Sequence, residues 1–80
     1  METKEIVVNG KKFMVRELLA IESDTIDWEN KAEANKKHIM FSTGISEEEY
    51  KNLTIKERFA IIKVANEING LNDFQKPVKE

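Results

Sequence analysis

His38 and the acidic run Glu47-Glu48-Glu49 are the residues whose types could support chemistry in this chain. Histidine titrates near neutral pH and is the commonest metal ligand. There is no cysteine, however, so a metal site around the single histidine would have to be completed by carboxylates alone. On a helical wheel His38 lies with Ala34 and Phe41, which points to a partly buried structural side chain rather than a ligand or general base. The three consecutive glutamates follow Ser46, and acidic residues in a first helical turn are what the helix dipole favours. An oxygen-rich loop with a turn glycine, as calcium requires, is missing around them.

The remaining candidates have simpler uses. The serines and threonines stand at capping positions or beside Gly44, with no histidine at a spacing that would activate a hydroxyl. Gly10, Gly44 and Gly70 are too far apart to cradle a phosphate, and each fits a turn or a helix end. Asn52-Leu53-Thr54 matches a glycosylation sequon, but residues 1–10 contain no apolar run of signal-peptide kind. The sequence therefore predicts a non-enzymatic chain with no catalytic, cofactor-binding or metal-binding residue.

Eighty residues allow one core, and 40% apolar with 35% charged residues is an ordinary balance for a folded domain. A net charge of −2 with dispersed lysines and arginines argues against nucleic acid or an anionic membrane as partner. No stretch approaches the roughly 20 apolar residues that span a bilayer, so a cytoplasmic location is expected. Typical stabilities of roughly 0.05–0.15 kcal/mol per residue make each buried aromatic important. Phe59→Ala is expected to cost about 3–5 kcal/mol if its ring is central.

Such a core must be built from short elements. Lys4–Val8, Asn9-Gly10 and Lys11–Val15 read as a β-hairpin with a two-residue type I′ turn. That register pairs Val8 with Lys11 and Ile6 with Phe13, placing Ile6, Val8, Phe13 and Val15 on one face. Both ribbon edges could accept another strand, with Lys4, Lys11 and Lys12 as guards. Leu18, Ile21 and Trp28 recur at helical spacing from 18 to 28, but Ser23-Asp24-Thr25 could restart or break that helix. A second helix is predicted over 29–42 with Gly44 just past its end, and its Ile39-Met40-Phe41 turn should be buried. Ser46-Glu47-Glu48-Glu49 and Thr54-Ile55-Lys56-Glu57 are capping boxes that open a short helix and a long one. The long helix should run over 55–69 and stop at Gly70. The expected fold class is α+β, mainly α, with an N-terminal β-hairpin packed on three to four helices. Residues 1–71 would form the single domain and 72–80 a mobile tail, docked if at all through Leu71 and Phe74.

In the last helix Ile55, Phe59, Ile62, Ala65 and Ile68 suggest a stripe packed on the core, with Ile61 and Val64 beside it. Together they widen the apolar arc to roughly half the circumference, beyond the approximately 100° of an ordinary surface helix. The helix is either central and wholly covered, or part of its arc stays open for a partner helix. The need of a short chain to bury most of its apolar side chains favours the first.

The hairpin Ile6–Arg16, the step Ser42-Thr43-Gly44-Ile45-Ser46-Glu47-Glu48-Glu49 and the ending Ala65-Asn66-Glu67-Ile68-Asn69-Gly70-Leu71 resemble small tail assembly chaperones of tailed bacteriophages. The resemblance covers about residues 4 to 72. One departure is Leu18-Leu19-Ala20, where the family usually places a threonine or serine cap, and it leaves the start of the first helix open. The resemblance implies a chaperone in the host cytoplasm that binds the tail tape-measure protein, keeps it soluble and helps recruit tail-tube subunits. It also implies that a frameshifted, longer form could arise near the end of the frame. No catalytic or ligand residue carries over.

The partner-binding residues expected on this basis are Ile61, Val64, Ile68 and Leu71, and a homo-oligomer is possible. The alternative class is a small DNA-binding or host-interaction regulator. Against it, Lys56, Arg58, Lys63 and Asn66 are dispersed rather than clustered as on a recognition helix.

Overall fold

The computed structural model describes residues 2–71. An antiparallel hairpin of β1 (Thr3–Val8) and β2 (Lys11–Arg16) precedes α1 (Ala20–Asp24), α2 (Lys31–Thr43), α3 (Glu47–Lys51) and α4 (Ile55–Ile68). The fold is α+β and mainly helical, with the hairpin first, as the sequence predicts. The tail expected over 72–80, including Phe74, lies outside the described residues.

The hairpin register is set by its turn. Asn9 and Gly10 have φ of 53° and 79°, the left-handed pair a type I′ turn demands and which Gly10 adopts without a Cβ clash. Ile6 pairs with Phe13 and Val8 with Lys11, so Ile6, Val8, Phe13 and Val15 face the helices while Val7 and Met14 face outward. Since a lone hairpin is marginal in water, this apolar face must be covered. It is covered by α2 and α4: α4 lies against both strands, and α2 lies against β2 and α4. The core is the three-way contact of Phe13 and Val15 with Ile39 of α2 and Ile61 and Ala65 of α4, closed by Val8 and Tyr50. Complete burial of a branched aliphatic side chain contributes about 1.5–3 kcal/mol, so Val15, Ile39 and Ile61 are its principal members.

Local chemistry fixes where the helices start and stop. Ser46 and Glu49 bond reciprocally at 3.1 and 3.0 Å, as do Thr54 and Glu57 at 3.1 and 2.8 Å. Asn30 caps α2 by accepting the Glu33 N–H, so that helix starts at Lys31. At the end of α4, Leu71 N–H donates to the Asn66 carbonyl at 2.8 Å and Gly70 N–H to Glu67 at 3.2 Å. That is a Schellman closure, for which Gly70 supplies the positive φ of 70°.

Two expectations need correction. The helix suggested over 18–28 is only the five residues of α1. Thr25 turns its hydroxyl back to the Glu22 carbonyl at 2.8 Å, and Asp27 accepts the Glu29 N–H at 3.2 Å, so local side-chain bonds divert the backbone. Trp28 therefore sits in a turn rather than on α1. The start left open by Leu18-Leu19-Ala20 is settled by Glu22, whose carboxylate accepts the Leu19 N–H at 2.8 Å and pairs with both terminal nitrogens of Arg16.

The second correction concerns α4. Ile55 and Phe59, placed on the core stripe by their spacing, are 71% and 68% exposed, whereas Ile61, placed beside that stripe, is 0% exposed. At 3.6 residues per turn, Ile61, Val64, Ala65 and Ile68 occupy an arc of about 100°, while Ile55, Phe59 and Ile62 centre about 140° away. The expected stripe had joined two faces. Ile61→Ala should cost about 2–5 kcal/mol in urea denaturation. Ile55→Ala should change stability by less than about 0.5 kcal/mol. Phe59→Ala likewise should fall well short of a core deletion.

Candidate functional site

The outward face of α4 begins with Ile55 and Phe59 and passes through half-buried Ile62. Ile62 is also a wall of an open cleft of about 810 Å³, shared with Trp28, Ala34 and Leu71 and with polar walls that include Lys31 and Asn35. The capping box of α4 and its Schellman closure fix the two ends of this strip, and Asn30 fixes the start of the α2 wall. The result is an apolar ridge leading into a groove of mixed apolar and polar lining, bordered by charge. Such a shape can bind an apolar segment of another molecule without any reaction.

The four expected partner-binding residues do not share this surface. Ile61 is enclosed in the core and presents nothing to a partner, which corrects its assignment. Val64 and Ile68 are half-buried against the same core. Leu71 alone lines the cleft. Ile55, Phe59 and Trp28 were not assigned to the surface, although a signal was available. The complete i, i+3, i+4, i+7 set is Ile61, Val64, Ala65 and Ile68, and the small Ala65 marks the side where other backbones approach closely.

The polar groups around the site have structural partners. His38 is 1% exposed, not partly buried, and its ring meets the edge of Trp28 at 5.8 Å and 80°. Asn69 accepts the Leu18 N–H on Oδ1 at 2.7 Å, so its Nδ2 faces His38 Nε2 at 3.0 Å and also donates to the Ala65 carbonyl. Nε2 is thereby the acceptor and the imidazole proton sits on Nδ1. This one amide joins α2, the end of α4 and the segment leading into α1. Burial pushes the His38 pKa down from 6.5 to about 4, so the ring is neutral at physiological pH.

Glu47, Glu49 and Glu57 are likewise engaged. Glu47 bonds Lys36 at 2.8 Å, and that hydrogen bond holds its pKa below the usual carboxylate range. Glu57, though buried, is held low chiefly by the Thr54 N–H, with Lys11 and Asn9 at the hairpin turn assisting. Its second oxygen lies 3.4 Å from Lys11 Nζ, which ties the start of α4 to the hairpin. Arg58 spreads its guanidinium 4.1 Å from the centre of the Tyr50 ring and donates to the Tyr50 carbonyl. Among the described residues, no three His, Asp or Glu side chains form a cluster that could hold a metal ion. No helix among them is long and apolar enough to cross a membrane.

The His38 environment sets a pH dependence. The unfolded chain takes up a proton near pH 6.5, whereas the folded chain refuses it until about 4, so acid favours unfolding. Stability should be complete above about pH 6.5 and fall by about 2 kcal/mol between pH 6.5 and 5, before the carboxylates titrate. Denaturation at fixed pH values measures this loss. His38→Gln, which keeps an acceptor but cannot titrate, should flatten it. Comparison of the chain with family models, with curated proteins and with solved structures finds no match.

Proposed function

We propose that the protein is a non-enzymatic tail assembly chaperone of a tailed bacteriophage, binding the tape-measure protein through the outer face of α4. The observation that carries this reading is the exposure of Ile55 and Phe59 on a helix whose other side forms the core. An 80-residue chain has few apolar side chains to spare, and this one leaves an aromatic and an aliphatic side chain in water beside an open cleft that Trp28, Ala34, Ile62 and Leu71 help to line. Contiguous exposed apolar surface of this kind marks interaction sites. A chaperone that works without nucleotide needs such a surface and a concentration above its dissociation constant, so that mass action favours the soluble complex. Recruitment of tail-tube subunits would then fall to the faces left free, including the outward side of the hairpin with Val7 and Met14.

The order of hairpin, capped helices and closing Asn69-Gly70 supports the same reading through the resemblance of those segments to the chaperone family. The corresponding location is the host cytoplasm.

Co-expression with the tape-measure protein of the same phage tests the proposal. Ile55→Asp and Phe59→Asp, alone or together, should lower the amount of soluble tape-measure protein severalfold while leaving the circular dichroism spectrum and melting temperature nearly unchanged. Unchanged tape-measure solubility with both substitutions in a folded chain would remove this site.

A further inference from the structure

The strip of Ile55, Phe59 and Ile62 is flanked on both sides by cations. At about 100° per residue, Lys56 and Lys63 fall along one edge of the strip and Arg58 along the other. Lys31 stands in the wall of the cleft into which the strip leads. Among the described residues none of these four cations has a carboxylate partner, in contrast to Lys11, Arg16 and Lys36, which do. Arg58 is held by the carbonyl and ring of Tyr50, neither of which neutralises it. The acidic residues of α4 are Glu57, turned to the hairpin, and Glu67, one turn beyond Lys63. A chain with net charge −2 thus presents a locally basic border around Ile55 and Phe59, two of its strongly exposed apolar side chains.

We infer that the occupant of this surface is an amphipathic α-helix of the partner whose apolar stripe is flanked by glutamate or aspartate. The inference rests on the docking face proposed above and adds the chemistry of what docks there. Apolar side chains recurring every third and fourth residue would lie on Ile55, Phe59 and Ile62 and enter the cleft beside Trp28. Carboxylates beside that stripe would meet Lys56 and Lys63 on one edge and Arg58 on the other, as flanking charges set partner choice in coiled coils. At 1.5 Å per residue α4 is about 20 Å long from position 55 to position 68, which matches a partner helix of about fourteen residues.

Three helix-forming peptides of equal length test this against the full chain, with Trp28 fluorescence and peptide anisotropy as readouts. The first carries leucine at the docking positions and glutamate beside them, the second has lysine in place of glutamate, and the third has glutamine in place of leucine. The glutamate-flanked peptide should bind about five- to tenfold tighter than the lysine-flanked one at low salt, with the difference shrinking as salt is added. The leucine-free peptide should not bind. Lys56→Glu with Lys63→Glu should reverse the order of the first two.

Equal affinity of the first two peptides, a preference for lysine, or displacement of the bound peptide by a short DNA duplex would each overturn the inference. If charge preference is absent but tape-measure solubility still depends on Phe59, the occupant is wrong and the chaperone reading stands. If the glutamate-flanked helix binds as stated while tape-measure solubility ignores Phe59, the surface chemistry is right and the chaperone reading falls.

Discussion

The seat of Ile61 and Ala65 between the hairpin and α2 is the contact on which the rest of the molecule depends. A two-stranded ribbon has no independent stability, and helices as short as α1 and α3 do not persist alone. The core of α4, β2 and α2 therefore supports every other element. It also leaves one side of α4 uncovered among the described residues. The apolar arc of α4 is too wide for one layer of covering elements, and the hairpin and α2 occupy the side that holds Ile61 and Ala65. Ile55 and Phe59 remain in water because the described chain places no element over them.

Polar contacts at the edge of the core decide which side of α4 is covered. Glu57 anchors the first turn twice, through the Thr54 N–H and through Lys11 at the hairpin turn. At the other end Asn69 reaches both His38 of α2 and the backbone at Leu18. Rotating α4 to hide Phe59 would expose Ile61 and separate both sets of partners at once. Buried polar groups left without partners each cost about 1–3 kcal/mol. The two ends thus act as pins that hold the orientation, and the Arg16–Glu22 pair extends the same network to the start of α1.

Much of the architecture was legible because it rests on local chemistry. Asn9-Gly10 set the hairpin register, and the Ser46–Glu49 and Thr54–Glu57 boxes with Gly44 and Gly70 set the helix ends to within a residue or two. What escaped was decided by tertiary contacts. Periodicity placed Phe59 on the core stripe because it cannot tell which half of a broadly apolar helix is covered. The choice depended on Ala65 admitting a close neighbour and on the reach of Glu57 and Asn69. The same limit displaced the candidate site: Leu71 was placed on it, Ile61 belonged to the core, and Phe59, Ile55 and Trp28 were missed. The short α1 escaped for another reason, since Thr25 and Asp27 bond their own backbone in competition with the helix.

The outer face of α4 combines the exposed side chains of Ile55 and Phe59, a cleft of mixed lining and a basic border, and it is the surface we propose to hold a partner helix. Photo-crosslinking from that face is its most direct test. A photoreactive phenylalanine analogue at position 59, with a second chain carrying it at position 14 on the outward hairpin face, would be irradiated in cells assembling phage tails. The account predicts a covalent adduct from position 59 to a helical segment of the tape-measure protein, and none to that protein from position 14. An adduct to the tape-measure protein from position 14 alone, or from neither position while tails assemble normally, would contradict it.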